Sequence, residues 1–359
     1  MFTEIVADTN ASDSCGVVRV LPSGNLDPNF GTGGVTRIAF GGPIALALQS
    51  DGKIVAVGGG AGPASAFGVV RFNANGTLDG SFGTGGTVTT NIAGFGLSVS
   101  TVVVDPRNGQ ILVGGSASAC VKCGTNTALA RYNTDGSLDQ TFGNDGTVVV
   151  KAIGAQGVVV LPGVLALLSD NDILVAQDDA VVEFGPSGAL HSSVTSTTTG
   201  ATIVATSQGG PTVFQTNGDF VFASSVGVNR KEFEIQLVRL LPQGSLDSAF
   251  NSPVFDFGPA GPFAESANAL AIQPNGQIVA GGGAGQFGAG GFGVARFNAN
   301  GGFDNTFGNA GIVITPFSNA AANVGSLLLQ PDGKIVAIGT EIVNGGSPAN
   351  LVAARYSGQ

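Results

Sequence analysis

A single histidine, His191, is all the chain offers for imidazole chemistry, so a Ser-His-Asp relay would have to be built on it. Paired carboxylates of the kind that cleave glycosides occur as Asp170 with Asp172 and as Asp178 with Asp179. The first pair stands in a hairpin turn, where aspartate is favoured because it hydrogen-bonds the local backbone; the second stands in the loop that follows. Both pairs read as solvated turn carboxylates. Cys120 and Cys123 form one CxxC in SASACVKCGTN, without the second CxxC or histidine pair that a tetrahedral zinc site requires. A local disulfide or two loop thiols is the expectation, with Cys15 at the start of a strand. Asp, Asn and Gly alternate in NTDGSLDQTFGNDG (133–146), but the EF-hand spacing and its bidentate glutamate are missing. Where the motif recurs, Asp135 becomes Ser23, Asn75, Ser187, Gln243 and Asn300, which is turn chemistry rather than ligation. The glycine-rich stretches 58–68 and 281–293 lead from strand to strand, whereas a phosphate loop must open a helix. The sequence thus assigns no catalytic, cofactor-binding or metal-ligating residue.

Composition narrows the class. Among 359 residues there are 59 glycines, only 11% charged residues and 43% hydrophobic ones, which suits short buried strands joined by tight turns. A net charge of −10, with 14 scattered Lys and Arg, argues against nucleic acid. The most apolar stretch, 157–168, contains Pro162, is flanked by Lys151 and Asp170, and is too short for a spanning helix. Residues 1–13 carry Glu4, Asp8 and Asp13 and no basic region, so no signal peptide is visible.

The elements that would position any site come from a repeat. FGVVRFNANGTLDGSFGTGG from Phe67 recurs as ALARYNTDGSLDQTFGNDG from Ala128 and FGVARFNANGGFDNTFGNAG from Phe292. Weaker copies start at Cys15 and Ile235. The anchors Arg19, Arg71, Arg131, Glu183, Arg239, Arg296 and Arg355 are spaced by 52, 60, 52, 56, 57 and 59 residues, a mean of 56. ALALQSDGKIVAVGG, ALAIQPNGQIVAGGG and LLLQPDGKIVAIG precede their anchors and read as strand, turn, strand.

The turns are three-residue hairpin loops, a type I turn closed by a left-handed residue. Gly24, Gly76, Gly136, Gly188, Gly244 and Gly301 take that third position in one hairpin, and Gly52, Gly276 and Gly333 in the other. Pro22, Pro186 and Pro242 take the first position, and Asn171 stands where the fourth repeat should have glycine. Each repeat gives four antiparallel strands, so the fold is expected to be all-β: a β-propeller of about seven four-stranded blades in one domain, 1–359, with almost no helix. The chain enters at a second strand (TEIVAD) and stops at a third (LVAARYSGQ), so the first and last repeats are incomplete. A defective seam, or a piece of a longer gene product, is the expectation.

The hairpin register predicts contacts. With Ala74–Gly76 as the loop, Phe72 faces Leu78 and Arg71 faces Asp79. The same spacing of eight recurs in Arg19/Asp27, Arg131/Asp139, Arg239/Asp247 and Arg296/Asp304, and six of the nine arginines hold this position. In the fourth repeat the pair becomes Glu183 and His191, a joint reversal that predicts the two touch. Phe30, Phe82, Phe142, Phe250 and Phe307 follow each Asp by three and are expected to fill the space between blades.

ARYNTDGSLDQTFG, ALAIQPNGQIVAGGG and LQPDGKIVAIG resemble the delta-60 repeats of bacterial proteins, over nearly the whole chain and least from 185 to 235. The resemblance implies a β-propeller often found in large secreted or surface proteins, and it brings no catalytic residues. The expected role is a monomeric, non-enzymatic binding or structural propeller, extracellular or at the cell surface, with no cofactor. Its partner would be a protein or glycan, met by the irregular loops 191–210 and 226–232. The rival is a polysaccharide hydrolase or lyase with its site at the mouth of the central channel.

Overall fold

The computed structural model describes residues 2–6, 14–21, 23, 25–39, 43–59, 66–119, 126–151, 162–168, 170–177, 180–195, 211–215, 217–229, 232–241, 246–257, 267–284, 290–317, 320–343 and 350–358. Among them there are strands and turns and no helix. The chain divides into two compact units, Met1–Thr195 and Ser196–Gln359.

In the first unit, β1 (Phe2–Val6), β2 (Ser14–Val20) and β3 (Val35–Ala39) make a three-stranded sheet. β4 (Pro43–Leu48), β5 (Ile54–Gly59), β6 (Phe67–Phe72) and β7 (Thr87–Thr90) make the first four-stranded sheet. The next holds β8 (Gly96–Val104), β9 (Ile111–Ser118), β10 (Asn126–Tyr132) and β11 (Thr147–Lys151). β12 (Pro162–Leu167), β13 (Ile173–Gln177), β14 (Ala180–Phe184) and β15 (Leu190–Thr195) follow in the same order.

The second unit opens with β16 (Thr212–Phe214), β17 (Phe220–Asn229), β18 (Glu232–Leu240) and β19 (Val254–Phe255). It continues with β20 (Ala267–Ile272), β21 (Ile278–Ala284), β22 (Gly291–Phe297) and β23 (Ile312–Pro316). It ends with β24 (Ala320–Leu329), β25 (Ile335–Val343) and β26 (Asn350–Tyr356). One pair, Gly283 with Asn323, links β21 to β24, so these last two groups run on as a single seven-stranded sheet. Neighbouring strands are antiparallel meanders, as tight hairpins require. β17 and β24 reach ten residues, and a bulge interrupts the register of each, at Gly227/Asn229 and Val324/Ser326.

The hairpins form as their sequences demand. Asn73 and Gly76 close the loop through Asn73 N–H to the Thr77 carbonyl, 2.8 Å, and Gly76 N–H to the Asn73 carbonyl, 2.8 Å, with φ +87° at Gly76. Phe72 pairs with Leu78, the expected register. Asn171 takes φ +76°, as its place in the turn demands. Pro22, Gly24, Pro242 and Gly244 lie outside the described residues.

Packing explains the unbroken apolar runs. A strand covered on both faces has no polar side, and alternate residues go to opposite neighbours. Ile54 and Ala56 of β5 join a cluster with Val17 and Phe30, whereas Val55 and Val57 join one with Ile111 and Val113. β9 repeats the pattern: Ile111 and Val113 face back, and Leu112 joins Leu165, Ile173 and Val175. In the second unit Ile278 and Ala280 pack toward Ile235 and Leu237, while Val279 packs toward Val324 and Ile335. Within each unit the core therefore lies between consecutive sheets.

Candidate functional site

The recurrent charged residues come together as the hairpin register requires. Arg71 Nε donates to Asp79 Oδ2 at 2.7 Å, with side-chain exposures of 5% and 7%. Arg19–Asp27, Arg131–Asp139, Arg239–Asp247 and Arg296–Asp304 repeat the bond at 2.7–2.8 Å. The other carboxylate oxygen caps the turn that follows, accepting the N–H of Ser81, Thr141 or Thr306 and the hydroxyl of the same residue. Burial works against ionisation of Asp139. The Thr141 hydroxyl and backbone N–H, the Arg131 charge and the Gln110 amide outweigh it and hold the carboxyl at about 2. Asp79 and Asp304 are lowered by the same set of forces.

Each guanidinium carbon lies over the repeated phenylalanine, 4.4–4.7 Å from the ring centre, in all five copies. Each also reaches the next repeat. Nη1 donates to the carbonyl of the first residue of the following hairpin loop, Arg19 to Ala74, Arg71 to Thr134, Arg131 to Pro186 and Arg239 to Ala299, and Arg296 donates to Gly358 at the equivalent position after β26. Four residues beyond four of the five Asp residues, a backbone N–H makes the next stitch: Gly31 to Asn75, Gly83 to Asp135, Gly143 to Ser187 and Asn251 to Asn300. The third loop residue packs against the phenylalanine, and a Cβ on Gly136 would sit 2.8 Å from the Gly83 nitrogen and 3.1 Å from the Phe82 ring. The phenylalanines thus lie at the contact between sheets, under a cation that sequence alone did not place there.

The fourth repeat accepts these links through Pro186 and Ser187 but lacks the charged pair that would give the next one. Its equivalents of Gln110, Arg131 and Asp139 are Asp172, Glu183 and His191. It has no DxxFGxxG turn, so β15 begins at once and His191 sits in a bulge, with Glu183 opposite Ser192 and Phe184 opposite Leu190. The expected face-to-face pair of Glu183 with His191 is therefore replaced by a three-way cluster. His191 Nδ1 lies 3.0 Å from Asp172 Oδ2, and one ligand-type atom from each of Asp172, Glu183 and His191 lies within 4.8 Å of the others. The Asp172 side chain is 14% exposed, so it is no solvated turn carboxylate. Asp170 does behave as one, accepting the Asp172 N–H at 3.2 Å. Asn73, Asn133 and Asn298 become Gly185 here; a Cβ at Gly185 would fall 2.4 Å from His191 Nε2.

A cleft of about 230 Å³ opens between the third and fourth sheets, lined by Asp105, Arg107, Gln110, Arg131, Asn171 and Pro186 among others. Its polar groups are engaged: Arg107 Nε donates to Asp105 Oδ1 at 2.8 Å, and Gln110 donates to Asp139, outside the cleft lining, at 2.9 Å. Cys120, Cys123, Asp178 and Asp179, and loop residues 196–210, 230 and 231, lie outside the described residues. No helix among the described residues is long and apolar enough to cross a membrane.

Four segments, 49–82, 107–142, 273–307 and 330–353, match the model of a β-propeller domain of unknown function, DUF5122. These four segments are β-propeller repeats. The matched segments make up just over a third of the chain and include the hairpins that carry Arg71, Arg131 and Arg296. No curated protein matches. Among solved structures, the extracellular domain of a one-component system from B. thetaiotaomicron is 14% identical over 86% of this chain and 33% of its own, with a TM-score of 0.43. A puromycin hydrolase mutant complexed with PGG is 15% identical over 87% and 51%, TM-score 0.43. An α-L-arabinofuranosidase from Lactobacillus brevis is 10% identical over 87% and 89%, TM-score 0.38. The chain thus spans a third and a half of the first two of these proteins.

Proposed function

We propose that the chain forms one propeller of seven blades, built from delta-60-type repeats, that serves as a non-enzymatic binding scaffold. The observation that carries this reading is the fate of the recurrent residues. Arg, Asp and Phe, the groups most able to do chemistry or hold ligands, are engaged in joining one sheet to the next, five times over. Residues that recur in this way are packing devices, whereas ligand sites are few per protein. Recognition then falls to the loops, which vary between repeats while the sheets do not. The role fits a secreted or cell-surface bacterial protein, acting as a monomer on a protein or glycan partner.

The test pairs binding with turnover. The purified chain is run on a glycan array and incubated with a panel of polysaccharides, assayed for new reducing ends and unsaturated products. Retention of a glycan without product supports the scaffold. Release of product by the purified chain overturns it in favour of a hydrolase or lyase. Class averages from electron microscopy report the blade number, and any count other than seven refutes that part.

A further inference from the structure

We infer that Asp172, Glu183 and His191 form a site for a divalent transition-metal cation, Zn2+ in the first place. The reasoning starts from what the same positions hold elsewhere. In the third repeat they are Gln110, Arg131 and Asp139, and in the sixth Gln277, Arg296 and Asp304: a guanidinium, a carboxylate and an amide that satisfy one another by hydrogen bonds. In the fourth repeat the cation is gone and two carboxylates and an imidazole stand together. Two half-buried carboxylates side by side repel each other, and a bound cation offsets that repulsion. All three changes convert donors or mutually neutralised groups into metal ligands, and a fourth, asparagine to Gly185, clears the space that the imidazole occupies.

The geometry suits the ion. Donor atoms about 2.0–2.1 Å from Zn2+ lie about 2.9–3.4 Å from each other at right or tetrahedral angles. His191 Nδ1 and Asp172 Oδ2 are 3.0 Å apart, and the Glu183 carboxylate completes the set within 4.8 Å. An imidazole ligand favours Zn2+, Ni2+ or Cu2+ over the hard ions Ca2+ and Mg2+. Three protein ligands leave a coordination position, and His191 is 49% exposed, so that position opens to solvent and to a donor on an incoming molecule. The inference is independent of the scaffold role, since it concerns one repeat rather than the set.

The experiment uses the whole chain without an affinity tag, carrying Cys120→Ser and Cys123→Ser so that the CxxC thiols cannot compete. Titration calorimetry with ZnCl2 should show one equivalent bound. Asp172→Asn, Glu183→Gln and His191→Gln should each weaken binding at least tenfold. The triple variant Asp172→Gln, Glu183→Arg, His191→Asp copies the third repeat and should keep the far-ultraviolet circular dichroism while losing the site. Because the chain has one histidine, its imidazole resonances report the site without any variant, and Zn2+ should shift them at one equivalent. Unmoved histidine resonances, binding retained by the triple variant, or equal affinity for Ca2+ or Mg2+ would each overturn the proposal.

Discussion

Arg71 uses every part of one guanidinium. Nε holds Asp79 at 2.7 Å, Nη1 reaches the Thr134 carbonyl at 2.5 Å, and Cζ lies over Phe82, 4.5 Å from the ring centre. Arg71→Ala would leave the buried Asp79 carboxylate with Lys53 Nζ as its cation, 3.3 Å away, and should cost about 3 kcal/mol in denaturant unfolding. Arg71→Lys should recover little, because an ammonium cannot divide itself among those partners. A double-mutant cycle with Asp79→Ala should give a coupling energy of about 0.5–3 kcal/mol; a value within error of zero refutes the pairing argument. Glycine offers a contrast in the same register. Gly136 and Gly333 both have positive φ, but a Cβ on Gly333 meets nothing within 4 Å, while one on Gly136 meets the Gly83 backbone at 2.8 Å. Gly136→Ala should therefore lower the melting temperature clearly more than Gly333→Ala, and equal effects would contradict the close approach. The Arg–Asp pairs were legible in the sequence because a three-residue loop fixes which residues oppose each other. Asp172 was not, because it reaches His191 across β14 from the turn before β13, 19 residues away, past a bulge that local spacing does not announce.

At the scale of the strand, alternation decides which neighbour each side chain meets. It also places Tyr132, at the position Phe72 and Phe297 hold elsewhere, where its hydroxyl donates to Thr90 Oγ1 of β7 at 2.7 Å. Tyr356 lies in the same way with its hydroxyl 2.8 Å from Thr315 Oγ1 of β23. Burial pushes both phenols up in pKa, against a smaller opposing pull from the threonine. Tyr132→Phe removes the hydroxyl but leaves Thr90 buried, so a loss of about 1–3 kcal/mol is expected by denaturant titration, and no loss would show that Thr90 finds another partner. Neither link was legible, since tyrosine and threonine were read as ordinary strand residues and the partner belongs to the repeat before. The four-strand order was legible for the opposite reason: turn residues and apolar runs are local signals, repeated often enough to check one another.

For the molecule as a whole, the aspartates set the response to acid. Asp139 has a folded pKa of about 2, below the ordinary carboxylate value of about 3.9. A depressed folded value means that the charged form stabilises the fold above pH of about 4, and that this stability drains away as pH falls toward about 2. Asp79 and Asp304 are shifted in the same direction, so the losses fall together. The melting temperature should be level from pH 7 to about 4.5 and then drop, and Asp139→Asn should flatten part of that drop while lowering the plateau. A melting temperature that rises on acidification would contradict the assignment.

The links between repeats have a sense of direction. Donors stand on one copy and the carbonyls that accept them on the next, from Arg19 to Ala74 and again from Arg296 to Gly358. A module with one giving end and one receiving end can be copied and inserted between its neighbours with every link renewed on both sides. Duplication of a stretch of about 56 residues in the gene is then nearly neutral for the protein, and near-twins such as those beginning at Phe67 and Phe292 are its expected trace.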